Sequence, residues 1–136
     1  MLVVGLVGVF RMTRDFVDIS LRRLFLAPTL GLVVGGAAFM LHGWGKIQNP
    51  FGWMGPDAFA PGIFQALAAL AEFGGGLAWI LGLLTPLASL GIASTMTVAV
   101  YFHAIMRGNP FVASGGGGSY ELSAVYLCIA LLLIAV

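Results

Sequence analysis

Each of four apolar stretches of the sequence holds one ionisable residue: His42, Glu72, His103 and Glu121. Two imidazoles and two carboxylates can exchange protons, hydrogen-bond a polar head group or, on residue types alone, ligate zinc or iron. Helical metal sites commonly draw ligand pairs at i, i+3 or i, i+4. None of these four residues forms such a pair, so no metal centre is expected. A lone carboxylate at the centre of a membrane helix costs about 2.5 to 3.5 kcal/mol. Glu72 is therefore expected to be neutral or paired, with His103 and His42 as the partners. The residues leave two readings open: a hydrogen-bonded network that locks helices in register, or a ligand or proton site.

Helical spacing predicts which way these side chains face, because positions 3, 4, 7 and 11 apart share one side of a helix. His42 shares its side with Ala38, Gly35 and Gly31. The Gly31/Gly35 pair has the small-xxx-small spacing of close helix contact in membranes, which predicts that His42 points into a bundle. Glu72 shares its side with Gln65, Ala68, Gly75, Gly76 and Trp79, and the same reasoning turns it inward. The side of His103 holds Ala99, Met96 and Ile92, and that of Glu121 holds Ala124, Val125 and Cys128; both are less diagnostic.

The elements that must position these residues follow from charge and length. Of 136 residues, 60% are hydrophobic and 8% charged, against about 25% charged in ordinary soluble domains. The stretches 24–45 and 73–106 contain no Asp, Glu, Lys or Arg. About 20 apolar residues cross a bilayer, so the first stretch fits one helix and the second is too long for one. Gly82-Leu83-Leu84-Thr85-Pro86 supplies the break, since proline disfavours helix in the preceding residue and starts new helices well. The expected fold is an all-α integral membrane four-helix bundle, with helices at about 24–45, 62–84, 86–106 and 120–136. The last is only just long enough.

Residues 1–10 are apolar but too short to span, and a charged stretch from Arg11 to Arg23 follows. A signal peptide has the reverse order of charge and apolar core. Residues 1–23 thus read as an interfacial, amphipathic lead-in and 24–136 as the four-helix domain. With four crossings, one side carries Arg11, Arg14, Arg22 and Arg23, and the other only Lys46 and Arg107. The excess of positive charge places both termini in the cytoplasm and loops 46–62 and 107–119 outside. All four ionisable residues then lie in the outer half, as a funnel with Glu72 about 14 Å below the start of its helix.

The outer loops hold Trp44, Phe51, Trp53, Phe111 and Tyr120, and Asn-Pro-Phe occurs in both, at 49–51 and 109–111. Aromatic residues at headgroup depth are ordinary interfacial anchors; a lid over a pocket is the alternative. The Gly115–Gly118 run lacks the Lys-Ser/Thr pair of a phosphate loop and reads as a flexible loop. A single cysteine, Cys128, excludes an internal disulfide and a Cys-x-x-Cys redox pair. A net charge of +1 gives no basic groove for nucleic acid.

The succession His42-Gly43-Trp44-Gly45-Lys46, Glu72-Phe73-Gly74-Gly75-Gly76-Leu77, Gly82-Leu83-Leu84-Thr85-Pro86 and Tyr120-Glu121 resembles the DoxX family of small four-helix membrane proteins, over about 22–136. The resemblance implies a cytoplasmic (inner) membrane protein linked to redox metabolism. Relatives include the quinone-reducing subunit of an archaeal thiosulfate oxidoreductase and proteins associated with superoxide dismutase and sulfurtransferase partners. By position, the family's recurrent polar residues correspond to His42, Lys46, Glu72, His103 and Glu121.

The leading expectation is a membrane subunit of a redox assembly whose outer-leaflet pocket binds a quinone-like or other small apolar ligand. Glu72, His103 and His42 would supply hydrogen bonds or protons, and Lys46, Trp44, Trp79, Gln65 and Glu121 would line the pocket. The sequence has no flavin, haem or cluster motif, so electrons would come from a partner subunit or a bound cofactor. The rival is a non-catalytic scaffold subunit of a larger membrane complex. A transporter is a third reading, for which four helices leave little room unless the protein oligomerises.

Overall fold

A computed structural model describes residues 29–135. The chain divides into two compact units, 1–32 and 33–136. Of the first, only the opening turn of a helix, 29–32, is described, and the interfacial lead-in expected at 1–23 lies outside the described residues. Four helices follow one another: α1, Thr29–Gln48; α2, Gly62–Leu81; α3, Thr85–Tyr101, which runs on through a π-helical turn, Phe102–Met106; and α4, Glu121–Ile134. Among the described residues there is no strand, and the all-α four-helix expectation holds.

At 20 to 22 residues, α1, α2 and α3 with its π turn are long and apolar enough to cross a membrane, since 20 residues of helix span about 30 Å, the thickness of the hydrocarbon core. At 14 residues, α4 reaches only about 21 Å. The exterior is correspondingly apolar: Leu41, Leu70, Leu87, Ile105 and Leu132 are among many large hydrophobic side chains left exposed, as befits a surface solvated by lipid tails.

Two helix ends differ from the expected positions, each for a local reason. α2 stops at Leu81 because Gly82 adopts the left-handed conformation, φ 65°. Gly82 N–H then donates to the Trp79 carbonyl at 3.2 Å and Leu83 N–H to that of Ala78 at 2.9 Å, the paired bonds of a Schellman cap. α1 continues three residues past Gly45 to Gln48, because its true stop is Asn49-Pro50, where the proline removes helix from its predecessor.

Helices α1 and α2 touch through glycine. A Cβ on Gly36 would lie 2.5 Å from the Gly76 carbonyl oxygen, one on Gly76 would lie 2.6 Å from that of Gly36, and one on Gly43 would lie 2.6 Å from the Phe73 nitrogen. No side chain fits at such backbone-to-backbone approaches. Beside this crossing, buried Trp79 meets Phe39 edge-on at 5.4 Å and donates its indole N–H to Ser89 Oγ on α3 at 2.9 Å. That bond ties α2 to α3 in a medium where few other polar ties exist.

Candidate functional site

Three polar or charged side chains are buried among the described residues: Gln65, Glu72 and Ser89. Each has a partner, as burial away from water requires. Glu72 is 2% exposed, and the Lys46 ammonium donates to both of its carboxylate oxygens at 2.6 Å. Its partner is thus the chain's lysine and not the histidines expected from the sequence. The antiparallel crossing explains why. Gly43 packs on Phe73, so Lys46, one turn further along α1, comes within side-chain reach of Glu72. Depth counted from the start of α2 is misleading, because α2 begins beyond the end of α1; with Gly43 on Phe73, Glu72 lies about four residues' rise, roughly 6 Å, from that end.

The segment 49–61 closes over this overhang. Buried Gln65 accepts from Met54 N–H at 3.0 Å and donates through Nε2 to the Ala60 carbonyl at 2.9 Å, and the Trp53 indole donates to the Gln65 carbonyl at 3.0 Å. The Trp53 ring in turn carries Lys46 Nζ 4.5 Å from its centroid, a cation–π contact. One glutamine thus pins the loop, and the loop roofs the ion pair.

Below this roof lies a half-open cavity of about 880 Å³ between α2 and α3, within the range of ligand pockets. Its length is lined mostly by apolar side chains such as Leu67, Ala71, Leu87 and Val98, and its polar lining includes Lys46, Glu72, Gln65, Trp53 and His103; Ala71 packs on Gly91, so Glu72 lies further down the groove than His103 and not beside it. His103 sits in the π turn, where Arg107 N–H reaches the Phe102 carbonyl at 3.0 Å; such turns recur at functional sites. Its Nδ1 is 3.1 Å from Asn109 Nδ2.

The remaining expected residues lie elsewhere. His42 is exposed, which corrects its predicted inward orientation: the strip that packs on α2 holds Gly35, as expected, with Gly36, Phe39 and Gly43, and its centre passes beside His42. Trp44 is exposed beside Phe73, with ring centroids 5.8 Å apart. Trp79 faces Phe39 and Ser89 rather than the cavity. Glu121 is exposed at the start of α4, where its charge suits the helix dipole. Glu72, His103, Lys46 and Gln65 do share the cavity. Among the described residues no three His, Cys, Asp or Glu side chains come within reach of one metal ion. Sequence reasoning left Trp53 between an interfacial anchor and a lid, and it missed Asn109 as the histidine's neighbour.

Apolar helices of membrane-spanning length around a buried ion pair define an integral membrane protein. The DoxX family profile matches residues 23–104, more than half of the chain, and the chain belongs to that family. Tyr120-Glu121 and α4 lie beyond the matched region. No curated protein and no solved structure matches the chain significantly.

Proposed function

We propose that this DoxX protein is a subunit linked to redox metabolism, in which the α2–α3 cavity binds a quinone-like or other small apolar molecule. One observation carries the reading: a half-open apolar cavity of about 880 Å³ is lined on one side by a buried, fully paired Lys46–Glu72 couple and on the α3 side by His103. Apolar walls would hold a ring or tail, and the polar groups would orient its head group. Reduction of a quinone needs two protons near its carbonyls, and Glu72, Lys46 and His103 are the groups at hand. Electrons would come from a partner subunit, and the chain would sit in the cytoplasmic membrane with both termini inside.

The test is to purify the protein from its own membrane with bound lipids and identify what co-purifies by mass spectrometry. The variants Ala68→Phe and Ser94→Phe add bulk to the cavity wall on α2 and α3. The proposal expects quinone to co-purify with the wild type and to be lost from both folded variants. A quinone-free wild type that still assembles with large partners would establish the scaffold reading instead.

A further inference from the structure

Helix α1 stops short of its neighbours on one side of the protein. With Gly43 on Phe73, its last residue, Gln48, stands about 8 Å above Phe73, whereas Gly62, the first residue of α2, stands about 17 Å above it. The difference leaves a notch about 9 Å deep over the end of α1. On the far side Ala71 packs on Gly91, and α3 with its π turn runs on to Met106, so that wall is higher still.

Segment 49–61 occupies the notch with irregular backbone, pinned by Gln65 at Met54 and Ala60. Its Asn49, Gly55, Asp57 and Phe59 are exposed, and the N–H groups of Asp57 and Phe59 donate to no acceptor among the described residues. At the same height, the outer face of α2 exposes Ile63, Phe64 and Leu67, a surface made for hydrocarbon. Backbone that is not helical persists at membrane depth only inside protein or beside water. The exposure of this segment leaves water.

The floor of the notch is Lys46. Its side chain is 25% exposed, against 2% for Glu72, and Trp53 covers the ammonium from one face at 4.5 Å. The exposed remainder of a charge within a membrane span turns to water and not to lipid tails.

We infer that water enters from the side of loops 49–61 and 107–120, fills the notch and reaches Lys46. The Lys46–Glu72 pair then has an aqueous face on Lys46 and a groove face on Glu72, which lines the α2–α3 cavity. Protons taken up by a molecule in that groove are drawn from the loop side. This consequence rests on the proposed ligand-binding role; the aqueous notch does not.

Lys46 is the chain's single lysine, so amine acylation reads it alone among the side chains. The full chain, in sealed vesicles of each orientation, is treated with a charged, membrane-impermeant sulfosuccinimidyl ester or its uncharged, permeant counterpart. Mass spectrometry quantifies the peptide that holds Lys46. The ratio of the two rates cancels the amine's own reactivity, and Glu72→Gln frees the amine where pairing slows both reagents. From the loop side the two rates should agree within about threefold, and from the other side the charged reagent should fail, because its charge keeps it out of hydrocarbon. Depth is read in a Cys128→Ser background with a charged thiosulfonate. Asn49→Cys should react, and Leu67→Cys, at the same height on the outer face of α2, should react at least about tenfold more slowly. The inference is overturned by a charged reagent that acylates Lys46 tenfold more slowly than the neutral one, or from both sides, or by an amine inert to both reagents even in Glu72→Gln. Equal reaction of Leu67→Cys and Asn49→Cys would also overturn it, since the first turns of α2 would then stand in water. A quinone-free protein with Lys46 acylated from the loop side would remove the ligand reading and support this one.

Discussion

Replacing Lys46 with methionine keeps the length and apolar stem of the side chain and removes its charge, which leaves Glu72 buried at 2% exposure without its partner. Breaking a buried ion pair from one side costs about 3 to 5 kcal/mol. The opposite change, Glu72→Gln, should cost less, about 1 to 2 kcal/mol, because Lys46 is 25% exposed and its ammonium can turn towards water. The double variant should regain part of the loss, since no buried charge remains. Reversible unfolding in mixed micelles, run as a double-mutant cycle, measures all three. The reasoning is refuted if Lys46→Met costs no more than Glu72→Gln, or if the two losses simply add.

Other consequences follow from single contacts. Gly36→Ala should destabilise by about 1 to 3 kcal/mol, because its Cβ meets the Gly76 backbone and the helices must part; Gly45→Ala, with nothing within 4 Å of its Cβ, should be neutral or stabilise slightly, and the same unfolding assay compares them. Trp79→Phe should cost about 1 to 2 kcal/mol by orphaning buried Ser89, and Ser89→Ala added to it should recover part of that. Gln65→Leu removes both side-chain ties to 54 and 60, so amide hydrogen exchange across 53–60 should accelerate while α3 stays protected.

The sequence carried the helices well because membrane crossing is set by length and charge, which local composition displays. It carried the inward placement of Glu72 for a related reason: an ionisable residue in hydrocarbon has few places to go. The partner was harder to read. Lys46 meets Glu72 only because α1 and α2 cross at Gly36 and Gly43, and that register depends on which glycines face which helix. An error of one residue around α1 brought His42 inward on paper and hid the lysine. Trp53 and Asn109 act through turns of the loops, where periodicity gives no guide, and Trp79 looked like a pocket residue because it shares a helix side with Glu72 while pointing at α3's Ser89.

The central claim is that the α2–α3 cavity beside Glu72 is a ligand site. The most direct test is an experimental density map of the protein purified with its native lipids. The account predicts elongated density along α2 and α3 that runs beside the Lys46–Glu72 pair. A cavity closed by collapse of α2 onto α3, or filled by a helix of another protein, would contradict it.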